Sequence, residues 1–325
     1  MKLRPEHAPL PRDRIAESGP FHVIGVDFCG PFYVKQGPTV TKSYVALFTC
    51  AVTRAVHLEL VSDMTTSSFL LAFRRFIARR GVPSVVYSDN ARTFQRCAGI
   101  LALLPAEDVQ NFAANLRITW KFNVPYAPWW GGWWERMIRT MKSALKVSFG
   151  RTRQTFEGLT TLLHEIDAVI NSRPRVSSDP NEAPPITPSH FLTGGRSIQL
   201  PASPEEEQVG TTTLHRLREE QLQALAMFWR RWKREYLLQL RSAHESSRGD
   251  PTALKAGDVV IVGDDSTPQL LWKTAIVTAS HPGRDGVARA FTLRLPNKRH
   301  IVRPAQRLYL LEASVDPGPG EDVKD

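Results

Sequence analysis

The chain is predicted to fold as an α/β domain, a mixed sheet with helices on both faces, followed by a linker helix and a small all-β barrel. Three features predict this. Apolar strand-like runs alternate with amphipathic helical patterns over the first 200 or so residues. A long amphipathic pattern then runs from Leu214 to Ala243. After Leu254 the character changes to short strands separated by turn residues, with Asp264-Asp265 and Asp285-Gly286 among them. The divisions that follow are an extended arm over 1–20, the α/β core over 21–200, a linker with the long helix over 201–253, the barrel over 254–312 and a disordered, acidic tail over 313–325.

A length of 325 residues suits two domains, and 42% hydrophobic content supports proper cores. Lys+Arg 42 against Asp+Glu 32 gives a formal charge of +10, which favours a polyanionic partner but is shared by many soluble basic proteins. No run of about 18 apolar residues occurs and no signal peptide opens the chain, so the expectation is a soluble, intracellular protein with no membrane partner. Cys29, Cys50 and Cys97 lack Cys-x-x-Cys spacing. They read as small buried residues rather than a disulfide framework or a structural zinc site.

Pro5, Pro9, Pro11 and Pro20 among charges make the first residues an extended arm. Phe21 to Val34 is the first strand, apolar enough to be buried on both faces, and Asp27 is its anomaly. Ser43–Thr53 and Ala55–Val61 are rich in Val, Leu, Phe and Thr and make a hairpin turning at Thr53-Arg54. Thr65 or Thr66 caps a helix running to Arg80, with Phe69, Leu70, Phe73, Phe76 and Ile77 buried and Gly81 ending it. Arg74, Arg75, Arg79 and Arg80 form its solvated or phosphate-contacting face. After Pro83 a short strand, Ser84 to Tyr87, ends at Ser88-Asp89-Asn90, and the carboxyl ends of strands are where α/β sheets place ligands.

Residues 93 to 117 read as helical, and Ile118 to Asn123 as a strand. Gly131 and Gly132 make a close-approach loop before an amphipathic helix, Trp134 to Phe149, with Met137, Met141, Leu145 and Phe149 on one stripe. Glu135 opens that helix, which by itself is ordinary dipole complementation. A further helix spans Phe156 to Asn171 before Arg173-Pro174, and Arg175 to Ser203 is largely irregular. The Leu214–Ala243 helix sets Leu214, Leu217, Leu225, Phe228, Trp229, Trp232, Tyr236 and Leu240 on one face, with Arg230, Arg231, Lys233 and Arg234 on the rest. The barrel strands are Asp258–Val262, Leu271–Thr278, Arg289–Leu295 and His300–Val302.

Asp27, Asp89 and Glu135 thus stand in a strand, at a strand end and at a helix start. One sheet edge is expected to collect them, and the coarse order of elements fits a ribonuclease H-like domain. Hard oxygen ligands with no His or Cys suit Mg²⁺ or Mn²⁺ rather than zinc. Such a cluster holds two ions about 3.5–4 Å apart for in-line phosphoryl displacement. His57 reads as a strand-face histidine, and His164-Glu165 lacks a second zinc-ligating histidine.

The words around these acids are Gly25 through Phe32, Ala55 through Glu59, Ser88-Asp89-Asn90, Pro128 through Glu135, Asn171 through Pro174 and Leu192 through Gly195, with Gly257 through Val260, Trp272 and Gly283 through Gly286 later. From about residue 5 to 312 they resemble the integrase of BEL/Pao-type LTR retrotransposons. The resemblance implies a ribonuclease H-like catalytic core with an SH3-like barrel. It makes Asp27, Asp89 and Glu135 the metal-binding DDE triad with two Mg²⁺ or Mn²⁺ ions. It also implies a polynucleotidyl transferase that trims element DNA 3′ ends and joins them to target DNA, acts as a homo-oligomer, and works in the nucleus after a cytoplasmic assembly stage. Double-stranded element-end and target DNA are the implied partners. Arg139, Lys142 and Lys146 on the Glu135 helix are then phosphate-contact candidates or a solvated stripe. Arg230 and Arg234 belong to a linker helix lying along DNA or to a solvated face. Asn90 orients a phosphate or simply makes a turn, and Trp129 and Trp130 stack on a base or pack their loop.

Three departures stand out. Ala91 occupies a place the family gives to Gly, which costs on the order of 1 kcal/mol if the backbone there needs positive φ. Trp129 and Trp130 replace the family's usual His followed by an aromatic or small residue. The His/Cys zinc-binding domain of integrases is missing, as expected for a polyprotein segment or a shortened, host-retained copy. The rival readings are an integrase-derived DNA-binding or assembly protein without catalysis, and a ribonuclease H, which leaves the barrel unexplained.

Overall fold

Val23-Ile24-Gly25-Val26 carries no polar side chain, and so apolar a strand is stable only when covered on both faces. It begins β1 (Val23–Gln36), the middle strand of a five-stranded sheet in the computed structural model of the chain. The structure describes residues 18–102, 118–122, 132–149, 154–177, 185–194, 212–248, 254–263, 272–311 and 313–314, with backbone alone at 100–102, 132–136, 176–177, 212–218, 242–248 and 313–314. The arm over 1–17, the helix beyond Ala102, the loop with Trp129 and Trp130, the Asp264-Asp265 turn and the tail over 315–325 lie outside the described residues. The chain divides into two units, Met1–Ile170 with Gln199–Phe228, and Asn171–Ile198 with Trp229–Asp325.

In the first unit, β2 (Thr39–Cys50) and β3 (Val56–Val61) continue antiparallel from one side of β1. On the other side β4 (Val85–Ser88) and β5 (Thr119–Phe122) run parallel to it, giving the order β3-β2-β1-β4-β5. The hairpin turns where expected, with Arg54 at φ 59°. A second hairpin went unread: β1 runs past Val34 to Gln36 and β2 starts at Thr39, not Ser43. Those added residues are exposed, and all but Val40 are polar, so they leave no burial pattern to read.

Helix α1 (Thr66–Arg80) begins where Thr65 Oγ1 accepts the Ser68 N–H, and ends where Gly81 takes φ 87° and donates to the Ile77 carbonyl. Phe69, Ala72, Phe73 and Phe76 are buried, whereas Leu70 and Ile77, expected in the core, are half-buried at its rim. Helices α2 (Arg92–Ala102), α3 (Gly132–Phe149) and α4 (Phe156–Asn171) follow. Successive strand residues face opposite sides, and β1 uses this to recruit helices to both. Phe28 stacks on Phe94 of α2 at 5.1 Å and meets Phe69 of α1 edge-on, while its neighbour Asp27 meets Lys142 of α3. A bulge between Cys29 and Phe32 resets the phase, so that Phe32 packs on Phe149 of α3 at 5.8 Å. All three cysteines are buried and free.

β3 carries a buried charge cluster that Arg75, Arg79 and Arg80 of α1 reach, while Arg74, Arg75 and Arg79 stay exposed, as a solvated face requires. Glu59 has only 5% of its side chain exposed, and its oxygens meet His57 Nε2 at 3.0 Å, Arg75 Nε at 2.7 Å and Arg79 at 3.6 Å. Arg80 donates to His57 Nδ1 and lies 3.5 Å from Asp167 of α4. His57, read as a plain strand-face residue, therefore carries its proton on Nε2 and donates it to Glu59. Burial pushes its pKa down and keeps it neutral.

The second unit holds an antiparallel sheet in the order β10-β9-β8-β7-β11. Its strands are β7 (Val259–Val262), β8 (Thr274–Pro282), β9 (Ala288–Arg294), β10 (His300–Pro304) and β11 (Leu308–Leu310). Val260, Val262, Ala275, Val277, Phe291, Leu293, Leu308 and Leu310 close a small barrel-like core. β8 sits later than the expected Leu271–Thr278, since its far half is exposed and outwardly polar. Arg173, fully buried, lies over the Tyr236 ring, and Tyr236 donates to the Pro174 carbonyl. These contacts tie Arg173 and Pro174 to this unit. The stretch expected to be irregular holds β6 (Val176–Ser177) and α5 (Pro188–Thr193), the latter opened by Pro at its first turn. β12 (Ala313–Ser314) pairs with β6, so order extends into the residues expected to begin the disordered tail. Helix α6 (Thr212–Arg248) buries Phe228, Trp229, Trp232 and Tyr236 as its stripe predicts.

Burial alone would raise the Glu59 carboxyl, but hydrogen bonds from His57 and Arg75 outweigh it and hold it below the ordinary range. A depressed carboxylate stabilises the fold above its unfolded pKa, and that contribution fades as pH falls through the folded value. Glu59→Gln is expected to cost about 1–3 kcal/mol at pH 7. In urea titrations the gap to wild type should narrow on acidification below about pH 5.

Candidate active site

The parallel register of β1 and β4 pairs Val26 with Ser88, so that the next residue on each strand is an aspartate. Asp27 lies on a strand that continues beyond this point, with 19% of its side chain exposed. Asp89 lies just past the end of β4 and is exposed. Both are fixed by the local backbone. Asp27 Oδ1 accepts the Phe28 N–H at 2.6 Å, and Asp89 Oδ1 accepts the Ala91 N–H at 3.1 Å. Below Asp89, buried Ser88 donates to the Asp89 carbonyl and accepts the Trp120 indole N–H at 2.8 Å, which ties the loop to β5. Thr93 donates to the Met64 carbonyl at 2.6 Å and holds the first turn of α2.

The remaining Asp27 oxygen, Oδ2, accepts the Lys142 ammonium of α3 at 2.6 Å. Burial raises the Asp27 carboxyl, Lys142 and the Phe28 N–H pull it back only in part, and the Asp89 charge raises it further. The aspartates are thus electrostatic neighbours, with Asp27 partly desolvated and Asp89 exposed. Beside them burial pushes the Cys29 thiol up to about 11, so it remains protonated. Two carboxylates with no His or Cys between them are a donor set that fits a hard divalent cation.

Glu135 lies in the first turn of α3, whose backbone alone is described there. It stands seven residues before Lys142, close to the same angular position on the helix. Among the described residues no group of three His, Cys, Asp or Glu gathers as a metal site, and the Glu135 side chain is not one of those described. Met137, Met141, Leu145 and Phe149 are buried as the stripe predicts. Of the phosphate-contact candidates, Arg139 and Lys146 are exposed and Lys142 is engaged with Asp27. Arg230 and Arg234 are exposed on α6. The concern over Ala91 is removed: among the described residues positive φ occurs outside glycine only at Phe21, Arg54 and Lys298. Ala91 instead accepts the Gln95 N–H as the residue before α2. The Lys142–Asp27 pair was missed, although Lys142 sits two turns beyond Glu135, a spacing that would have found it.

Residues 17–128 match the integrase core domain family, a span that holds Asp27 and Asp89 and stops short of Glu135. Residues 217–311 match a family of unknown function (DUF5641). No curated protein matches the chain. Among solved structures, the simian T-cell lymphotropic virus intasome in complex with PP2A regulatory subunit B56 gamma is 14% identical, with a TM-score of 0.34, over 93% of this chain and 84% of that one. The HTLV-2 integrase catalytic core domain in complex with magnesium, in a dimeric form, is 17% identical, with a TM-score of 0.30, over 47% of this chain and 88% of that one. At such TM-scores neither overlap fixes anything about this chain. The stretch that matches the integrase core family spans the mixed five-stranded sheet, and no helix among the described residues is long and apolar enough to cross a membrane.

The raised Asp27 carboxyl means that the folded state binds its proton more tightly than the unfolded chain does, so ionisation draws stability away as pH rises above the ordinary carboxylate range. Asp27→Asn is accordingly expected to move the urea midpoint upward at pH 7. The gain should shrink as pH falls toward about 4, where wild type is protonated too.

Proposed function

We propose that the chain is a retrotransposon integrase of the BEL/Pao type, a DDE polynucleotidyl transferase acting through Asp27, Asp89 and Glu135. The observation that carries this reading is the register that sets Asp27 beside Asp89, within a stretch matching an integrase core. Two Mg²⁺ or Mn²⁺ ions held by these three acids supply, when bound, the activated nucleophile and the counter-charge for the leaving oxygen.

The chain's own residues prepare that site. The Phe28 N–H orients Asp27, the Ala91 N–H orients Asp89, and the Ser88–Trp120 bond keeps the β4 tip in place. Trimming the element's 3′ end exposes a hydroxyl, which then attacks a target phosphodiester directly, with no covalent link to the protein. Arg139 and Lys146 on α3, with Arg230 and Arg234 on α6, offer exposed cations to the phosphates of element-end and target DNA. Their contribution is tolerant of sequence and falls steeply with salt. On this reading the protein acts as a homo-oligomer in the nucleus, after a cytoplasmic assembly stage. The rival of a DNA-binding protein without catalysis drew on the missing zinc-binding domain and on a strained Ala91, and Ala91 is not among the residues with positive φ.

The test incubates the chain with a labelled element-end duplex, target DNA and Mn²⁺, beside Asp89→Asn. Trimmed and joined products are expected from wild type, reduced at least about 10³-fold in the variant. Duplex binding without any cleavage would favour the non-catalytic rival, and cleavage confined to the RNA strand of a hybrid would favour a ribonuclease H.

A further inference from the structure

We propose that Lys142 is an exchangeable internal counter-ion: its ammonium and a divalent cation compete for the same Asp27 oxygen, and the displaced ammonium becomes a phosphate ligand for DNA. Cation and DNA binding then reinforce each other through one side chain. The inference rests on the cation site proposed above and names a control built into it.

The competition follows from distances and charge. Asp27 Oδ1 is taken by the Phe28 N–H and Oδ2 by Lys142 Nζ, each at 2.6 Å. A Mg²⁺ ion on Oδ2 stands about 2.0–2.1 Å from it. An ammonium kept on the same oxygen would leave a dication and a monocation roughly 4 Å apart, and so close a pair repels strongly where water screens poorly. With Asp27 only 19% exposed, screening is weak, so the ammonium leaves as the cation enters.

Lys142 also has somewhere to go. Its side chain is 29% exposed, and its flexible four-carbon stem reorients readily. Arg139 lies one turn before it and Lys146 one turn after it on α3, and both are exposed. A released ammonium joins them in a row of three cations beside the carboxylates, and a DNA phosphate is the anion that such a row takes. In the paired state the same ammonium offsets the repulsion between Asp27 and Asp89. Because binding free energies are reciprocal, a cation that frees Lys142 tightens DNA by the factor with which DNA tightens the cation.

The experiment titrates Mn²⁺ into the full chain by calorimetry and by the electron-spin resonance of free Mn²⁺, with and without a DNA duplex. It compares wild type, Lys142→Met, Lys142→Gln and Lys146→Met, the last removing an equal charge that holds no bond to Asp27. Without DNA, the Lys142 variants are expected to bind Mn²⁺ about tenfold more tightly than wild type. Lys146→Met should stay within roughly twofold of it. The factor by which DNA tightens Mn²⁺ should shrink in the Lys142 variants and persist in Lys146→Met. Two Lys142 substitutions keep the test open should one fail to fold. Mn²⁺ affinity in the Lys142 variants no greater than in Lys146→Met overturns the exchange while leaving the cation site standing. If no chain binds Mn²⁺, the cation site fails and the exchange falls with it.

Discussion

Two like charges set side by side are the constraint from which the rest of the first unit follows. The parallel pairing of β1 with β4 pairs Val26 with Ser88 and so commits Asp27 and Asp89 to adjacent positions at one sheet edge. The pairing is held by what surrounds it. Phe28 wedges between Phe69 and Phe94, locking β1 to α1 and α2, and the Trp120–Ser88 bond locks β4 to β5. These contacts fix the backbone that carries the two carboxylates. An arrangement that sets a partly buried carboxylate beside an exposed one gains its balance from cations.

The chain contains two answers to the problem of a desolvated carboxylate, and their contrast separates scaffold from site. Glu59 is met by His57, Arg75 and Arg79, and its carboxyl is held below the ordinary range. Asp27 has one flexible lysine, and its carboxyl stays raised. The first cluster is saturated and ties β3 to α1 and α4. The second is under-neutralised, and residual electrostatic strain of this kind marks functional places more often than structural ones. The two differ in partner number: three side chains meet the Glu59 oxygens, where one lysine meets Asp27.

How much of this was legible in the sequence depended on whether the signal was local. Thr65 and Gly81 bounded α1, the Met137–Phe149 stripe placed α3, and the apolar run at Val23 placed the central strand, because capping and periodicity are properties of short windows. The three acids were selected by residue type and by the words around them. The structure places Asp27 and Asp89 together and leaves the Glu135 side chain undescribed. What stayed hidden were partners. Arg75, Arg79 and Arg80 read as a wet helix face because a solvated arginine and one reaching a buried carboxylate on another element have the same helical spacing. Lys142 read as a phosphate contact for the same reason. The outer β1–β2 hairpin and the β6–β12 pair were missed because strands that bury little leave no alternation to detect. Ala91 looked strained only because a glycine was expected there, and no sequence pattern reports φ directly.

The most direct trial of the central claim, that the fold presents one divalent-cation site at this sheet edge, is anomalous diffraction from crystals of the chain soaked in Mn²⁺. The expected result is an anomalous peak about 2.0–2.3 Å from an oxygen of both Asp27 and Asp89, with Glu135 turned toward it and Lys142 Nζ moved off Asp27. Mn²⁺ found only at other carboxylates, with Lys142 still bonded to Asp27, would contradict the account.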